Sequence, residues 1–291
     1  MSRNLQDILR EMVDGILVIN LDSSIARYEA FRRAAEGSLP AERVERLSAV
    51  AGRGLPGYGV HPWFTARTGA RAGTWAGAAG CVLSHRKCIE TARERGWKKV
   101  LILEDDSVAS ASGDVVELLS TACSQLQGAY MLYLGHNRPV PYGRRKAACG
   151  KAELWQVDGV LATHAYVLPM EAYDILLSLL PTEETVWKWI ARHRAIDTFY
   201  RECVGGVGIL PVYAVYPLLF TQASGVSDIG GCAVSKNSGV CAGPPYPLES
   251  FRGWLHRLAR PLRLAKYRLN SWRTFIRAEL WGFPGPRHHM K

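Results

Sequence analysis

The sequence predicts an α/β fold, and three observations carry that prediction. Val100, Leu101, Ile102 and Leu103 are four consecutive large apolar residues. Such a run suits a strand buried on both faces, because a strand with one wet face alternates. Glu104, Asp105 and Asp106 follow without a break. A second apolar run, Gly15 to Leu21, also ends in polar residues and passes into a helical pattern, as β-α units do. In open α/β sheets ligands sit at the carboxyl ends of the strands, so the acidic run is expected at the mouth of a site.

Along an extended chain Glu104 and Asp106 point one way and Asp105 the other. Two carboxylates about 7 Å apart repel by roughly 2 kcal/mol at an effective dielectric near 20. A hard divalent cation turns that repulsion into binding, and such an ion commonly also holds substrate phosphates. A solvated acidic turn or a helix cap accounts for the same residues without a metal.

In chain order, Ser23 or Ser24 caps a helix through Phe31 to Ala35 that stops at Gly37. Asn20, Asp22 and Arg27 gather at the end of the first strand. Residues 43–50 suit a second strand, and 51–77 a long loop that shapes a pocket or a lid. Gly77 to Gly80 lead into a helix bearing Cys81, Ser84, His85, Cys88 and Ala92 on one side. Ser84 and His85 would then lie in its first turns, where free N–H groups favour an anion; a core histidine is the plainer reading of His85. A helix is expected over 114–126 and a buried strand over 130–134. Residues 137–150, with Arg138, Arg144, Arg145 and Lys146, read as a solvated loop. Strands follow at 153–157 and 161–168, and helices start at Pro169, Pro181 and Ala195. Residues 209–220 are strand-like, and 221–243 form a Gly- and Ser-rich loop holding Gln222, Ser227 and Asp228.

The 291 residues are 48% hydrophobic and 21% charged, a folded rather than a disordered composition. No apolar run approaches the roughly 18–20 residues that span a bilayer. The start of the chain lacks the basic and apolar regions of a secretory signal, which leads to the expectation of a cytoplasmic protein. The seven cysteines include no C-x-x-C pair, so neither a disulfide framework nor a zinc cage is favoured. Of the net charge of +10, nine units lie after Ser250, where ten Lys or Arg face the single acid Glu279.

Four pieces, in order, resemble the family 25 glycosyltransferases, the group of lipooligosaccharide galactosyltransferases and collagen galactosyltransferase domains. They are Val18-Ile19-Asn20-Leu21-Asp22 with Arg27; Gly80-Cys81-Val82-Leu83-Ser84-His85 leading to Leu101 through Asp106; Thr163-His164-Ala165-Tyr166 followed by Ile196-Asp197; and Tyr216-Pro217 with Gln222 and Ser227-Asp228-Ile229. The resemblance spans about residues 15–230. It implies a GT-A type, Rossmann-like fold that binds a nucleotide sugar. It also implies an inverting transfer, commonly of galactose from UDP-galactose, with Mn²⁺ or Mg²⁺ at the acidic motif. Glu104 and Asp106 would hold the metal, with Asp105 beside them. Asn20, Leu21 and Arg27 would border the nucleotide, and His164 and Tyr166 would meet the donor sugar or simply pack. Asp197 matches the family's acid for the role of base, with Asp228 second; a plain helix cap is the alternative for Asp197, and an Asx turn for Asp228. Rival readings keep the enzyme with UDP-glucose or an N-acetylhexosamine donor, or keep the fold as a nucleotide-binding membrane scaffold without turnover.

The tail, 251–291, stands outside the resemblance and divides from the 1–250 transferase domain. Phe251, Trp254, Leu255, Leu258, Leu262, Ala265, Leu269, Trp272, Ile276 and Leu280 recur every three or four residues with arginines between them. Pro261 should kink the helix or split it. Trp and Leu on one side with Arg on the other mark a helix lying on anionic lipid, which suits an enzyme on the inner face of a membrane acting on a glycolipid acceptor. A helix packed on the domain is the alternative. No nucleic-acid module is recognisable, so no nucleic acid is expected as partner.

Overall fold

The first apolar run forms strand β1 (Gly15–Asn20), preceded by helix α1 (Leu5–Met12), whose cap residue Asn4 accepts from the Asp7 amide. Helix α2 (Ile25–Ala35) ends where Gly37 takes φ +74°, and strand β2 (Val44–Ser48) returns parallel to β1. The long helix α3 (Ala72–Glu94) then leads to β3 (Lys99–Glu104), parallel to β1 on its other side. After β4 (Ser107–Ala109) and α4 (Gly113–Thr121) come β5 (Met131–Gly135), β6 (Arg138–Pro139), β7 (Tyr142–Cys149), β8 (Ala152–Val157), β9 (Val160–Leu161) and β10 (Ala165–Pro169). Helices α5 (Tyr173–Leu179), α6 (Val186–His193) and α7 (Ile196–Phe199) precede β11 (Val212–Tyr216), β12 (Phe220–Gln222), β13 (Gly225–Val226), β14 (Ala233–Val234) and β15 (Tyr246–Pro247). The chain ends in helices α8 (Phe251–Leu258) and α9 (Arg260–Trp281). This is a computed structural model, and it describes residues 4–110, 113–139, 142–223, 225–226, 233–234 and 244–285.

The main sheet runs β15-β7-β8-β11-β5-β10-β3-β1-β2. Its β2-β1-β3 end is parallel and Rossmann-like, whereas β10 runs antiparallel to both β3 and β5. Along β1 and β3 the side chains alternate between two cores, as the two-residue strand period demands. Ile16, Val18, Leu101 and Leu103 face Leu9, Phe31, Val115 and Leu119 on one side. Leu17 and Ile102 face Val82, Ile89, Leu176 and Ile190 on the other. Each fully buried Val, Leu or Ile stabilises by roughly 1.5–3 kcal/mol. The sheet is therefore clamped between helices on both faces, and its strand ends are fixed in space.

Several expectations are corrected. Helix α3 begins at Ala72 and not at Gly77, its early turns masked in the sequence by Gly73 and Gly77. Ser84 and His85 thus lie in the middle of α3, where backbone N–H groups are already bonded, so the anion argument for them fails. The expected loop 137–150 contains β7, which forms a hairpin with β8 through Gly150 at φ +55°. Its exposed Arg144, Arg145 and Lys146 leave no apolar alternation to read, and backbone pairing carries the strand instead. Pro169 both closes β10 opposite Lys99 and caps the 3-10 turn Met170–Ala172, which runs on into α5, so the helix expected from it is present with a tighter first turn. The strand expected over 161–168 breaks at Ala162, which adopts φ +69°. The helix expected from Pro181 begins at Val186, and 209–220 divides into β11 and the start of β12. Ser227, Asp228, Cys232 and Cys241 lie outside the described residues.

The tail splits at Ala259, with Pro261 in the first turn of α9, where its missing N–H is harmless. It packs on the domain. Ala278 and Phe283 are fully buried, and Phe283 stacks on Trp75 with ring centroids 4.9 Å apart. Thr68 Oγ1 donates to the Phe283 carbonyl at 3.0 Å, and Trp75 Nε1 to that of Pro284 at 3.2 Å. The opposite side of the tail stays apolar and exposed. Among the described residues no helix is long and apolar enough to cross a membrane.

Candidate active site

A cavity of about 350 Å³ opens at the carboxyl ends of β1 and β3. Its walls are the β1 end (Asn20, Leu21), Arg27 of α2, the 49–53 segment, one face of α3 and the acidic run Glu104-Asp105-Asp106. The α3 wall is built by glycine. A Cβ on Gly80 would run into the Val50 carbonyl, and one on Gly52 into the Ala76 carbonyl, so helix and loop touch backbone to backbone. Ser84 fastens the same contact, accepting from the Val50 amide at 2.8 Å while donating to the Gly80 carbonyl at 2.7 Å. Its role in the structure is to set the wall of the cavity.

The three carboxylates diverge because β3 ends at Glu104 and the chain turns through Asp105 and Asp106. Asp105, only 9% exposed, turns back to pair with Arg27 and to accept from Asn20 Nδ2 at 2.7 Å. Asn20 is itself fully engaged, donating to the Ser24 carbonyl at 3.0 Å and accepting from Arg46 at 2.8 Å. Asp106 accepts from Gln222 Nε2, at 3.3 Å to each oxygen. Glu104 accepts from Thr163 Oγ1 at 3.0 Å.

Behind Glu104 stands a buried polar relay. His85 Nε2 lies 3.7 Å from Glu104 Oε1, and His85 Nδ1 meets the Tyr166 hydroxyl at 2.9 Å. Burial works to raise the Glu104 carboxyl, but the nearby His85, with the charge of His164 and the hydrogen bond from Thr163, holds it below the usual carboxylate range. Glu104 is thus an anion at neutral pH. Burial drives the Tyr166 phenol well up, so it stays protonated. The Cys81 thiol, which lines the cavity, is also pushed well up, first by burial and then by the charges of Glu104 and Asp197. It is not a thiolate nucleophile.

Of the residues singled out in the sequence, Asn20, Leu21, Arg27, Ser84, His85, Glu104, Asp105 and Asp106 all line this cavity. His164 and Tyr166 are fully buried and do not: His164 Nε2 faces the Phe220 carbonyl at 3.3 Å, and Tyr166 reaches the cavity only through His85. Neither is placed to meet a sugar. Asp197 sits at the start of α7, accepting from the Ala162 amide at 3.2 Å and from Thr198. It therefore fixes the left-handed turn that delivers Thr163 to Glu104. Arg53, Cys81 and Thr163 were not foreseen as site residues. Arg53 lies in Gly52-Arg53-Gly54, where no periodicity marks it. Among the described residues no three His, Cys, Asp or Glu side chains converge as a metal cage.

Three solved structures are similar to the chain at low identity. A197 from STIV is 10% identical, with TM-score 0.36 over 73% of this chain and 85% of that one. A putative glucose-1-phosphate thymidylyltransferase from Bacillus anthracis is 11% identical, with TM-score 0.36 over 74% of each chain. Mannose-1-phosphate geranyltransferase from Thermus thermophilus is 15% identical, with TM-score 0.31 over 74% and 76%. No curated protein matches the chain. The family description "Glycosyltransferase family 25 (LPS biosynthesis protein)" matches residues 13–167, which run from β1 through the acidic turn to Tyr166 and span more than half of the chain. By that match, on the segment that builds the cavity, the chain belongs to glycosyltransferase family 25.

Proposed function

We propose that the protein is a metal-dependent, inverting glycosyltransferase that moves galactose from UDP-galactose to a saccharide or lipooligosaccharide acceptor. The observation that carries this reading is the cavity at the ends of β1 and β3, with Glu104 and Asp106 on its wall and Asp105 neutralised by Arg27. The donor set fits Mn²⁺ or Mg²⁺ of the kind held by one or two carboxylates and completed by substrate phosphates and water. Such an ion needs no three-residue cage. Glu104 and Asp106 would hold it, and when bound it supplies positive charge against the leaving diphosphate.

The remaining residues act around that corner. Arg27 and Asn20 fix the acidic turn through Asp105, and Leu21 borders the nucleotide with backbone groups. Arg53 adds a cation to the same cavity. Inversion needs a carboxylate that takes the acceptor proton on the face away from the diphosphate. Asp197 is assigned that role on its match to the family's acid, and Asp228 is the second candidate. Residues 251–291 hold the enzyme on the inner, anionic face of a membrane, next to a glycolipid acceptor.

Donor hydrolysis with Mn²⁺ and a panel of UDP-sugars tests the reading. Fastest UDP release from UDP-galactose supports it. Preference for UDP-glucose or a UDP-N-acetylhexosamine replaces the donor, and UDP binding with no release from any donor replaces the enzyme with a scaffold.

A further inference from the structure

Helix α9 presents two contrasting surfaces to solvent. Leu262, Ala265, Leu269, Trp272, Ile276 and Leu280 fall three or four residues apart and form a single stripe opposite the packed face. Leu262 is 75% exposed and Trp272 63%. Lys266, Arg273 and Arg277 lie along one flank of the stripe, and Arg268 with the acid Glu279 along the other. Apolar residues pointing away from the domain, beside a margin of three cations, match the interfacial zone of an anionic bilayer in both chemistry and charge.

Beside the stripe, between the end of α6 and α9, is a cavity of about 410 Å³. Arg192, Arg194, Arg273 and Arg277 line it, with Tyr267 and Thr274, and among the described residues no Asp or Glu does. Arg194 donates to Thr274 Oγ1 at 3.2 Å, and the Arg192 guanidinium lies over the Phe275 ring at 4.6 Å. Among the described residues none of Arg192, Arg273 and Arg277 pairs with a carboxylate, unlike Arg260 and Arg263 on the packed face, which meet Asp158 and Glu202. His193 adds no charge, since burial and the neighbouring Arg192 bring it down to about 4. The guanidiniums of Arg192, Arg273 and Arg277 therefore repel one another, and an anion with several oxygens relieves that repulsion through forked hydrogen bonds.

We infer that this cavity binds the phosphate monoester of a membrane lipid headgroup while the Leu262–Leu280 stripe lies in the bilayer surface. Arg273 and Arg277 belong to both the cavity and the stripe's margin, so a headgroup at the surface meets them first. The inference rests on the membrane-facing reading of the tail and not on the identity of the donor sugar.

The test is co-sedimentation of the full chain with phosphatidylcholine vesicles carrying either phosphatidate or phosphatidylglycerol at equal surface charge. Three double variants are compared: R273Q/R277Q in the cavity, R252Q/R268Q as a charge-matched control outside it, and L269S/W272S in the exposed stripe. Each lost arginine weakens general attraction by roughly fivefold, so the control and cavity variants should share that loss. The wild type should bind phosphatidate vesicles at least fivefold better than phosphatidylglycerol vesicles. The cavity variant should lose that preference, the control should keep it, and the stripe variant should lose binding to both. Equal preference in the cavity variant and wild type overturns the inference while sparing the membrane reading. Wild-type protein that ignores all vesicles overturns both. Full displacement of the protein from phosphatidate vesicles by 1 mM inorganic phosphate also overturns it, because the cavity would then be a free-phosphate site.

Discussion

Asn20 and Asp105, 85 residues apart in the chain, are joined side chain to side chain by a 2.7 Å hydrogen bond at the meeting of β1 and the acidic turn. The bond explains why three adjacent carboxylates do not act alike. Asp105 is anchored by Asn20 and Arg27, which leaves Glu104 and Asp106 to face other partners around the cavity.

Asn20→Ala should therefore loosen the turn without removing any proposed metal ligand. The loss of a buried hydrogen bond, leaving its partners less satisfied, costs about 1–3 kcal/mol. Urea unfolding should show that loss, and the KM for the donor should rise more than kcat falls. An unchanged unfolding midpoint would mean the anchor adds nothing to stability.

Gly80→Ala and Ser84→Ala test the α3 wall. Gly80→Ala drives a methyl into the Val50 carbonyl, so the 50–52 segment must retreat; Ser84→Ala only frees the Val50 amide. Overpacking of this kind typically costs about 1–3 kcal/mol, and a lost hydrogen bond about 1 kcal/mol. Both variants should weaken donor binding, Gly80→Ala the more. Isothermal titration with UDP ranks them, and equal affinities would separate the wall from the nucleotide site.

Truncation after Ser250 should not leave a well-folded enzyme, contrary to what the 1–250 boundary suggests. Phe283 fills the space between Trp63, Phe64 and Trp75, and Phe283→Ala should cost about 3–5 kcal/mol. Differential scanning calorimetry would register a large fall in Tm. A Tm within a degree of wild type would show that the tail is dispensable to the fold.

His136 predicts acid sensitivity. Among the described residues both its ring nitrogens are buried without hydrogen-bond partners, and burial first, then the His164 charge, brings it down to about 3. The folded state keeps it neutral while the unfolded chain protonates below about 6.5. Its contribution is therefore complete above pH 6.5 and is lost as pH falls toward 3, by about 1.4 kcal/mol per pH unit. His193, brought down to about 4, acts in the same direction. His136→Leu should flatten, without abolishing, the fall in urea midpoint between pH 6.5 and 4.5; an unaltered profile would contradict the assignment.

The sequence was most informative where burial was two-sided. Val100 to Leu103 and Gly15 to Asn20 read as strands because both faces are core, and their polar ends mark the site. It was silent where backbone pairing, and not side-chain pattern, decides structure, as in β7 with its exposed Arg144, Arg145 and Lys146. The direction of each carboxylate was equally hidden. Two-residue alternation put Glu104 and Asp106 together, but the turn after Glu104 and long-range partners such as Thr163 and Gln222 decide where they point. Tyr166 illustrates the same limit, since only the fold shows that it stands behind His85 and not at the cavity wall.

The central claim is that Glu104 and Asp106 together hold a cation that carries the diphosphate of an activated sugar. Titration of UDP into the wild type and into Glu104→Gln/Asp106→Asn, each with and without Mn²⁺, tests it most directly. Mn²⁺ should tighten UDP binding to the wild type at least tenfold and leave the double variant unaffected. An equal Mn²⁺ effect in both proteins, or none in either, would contradict the account.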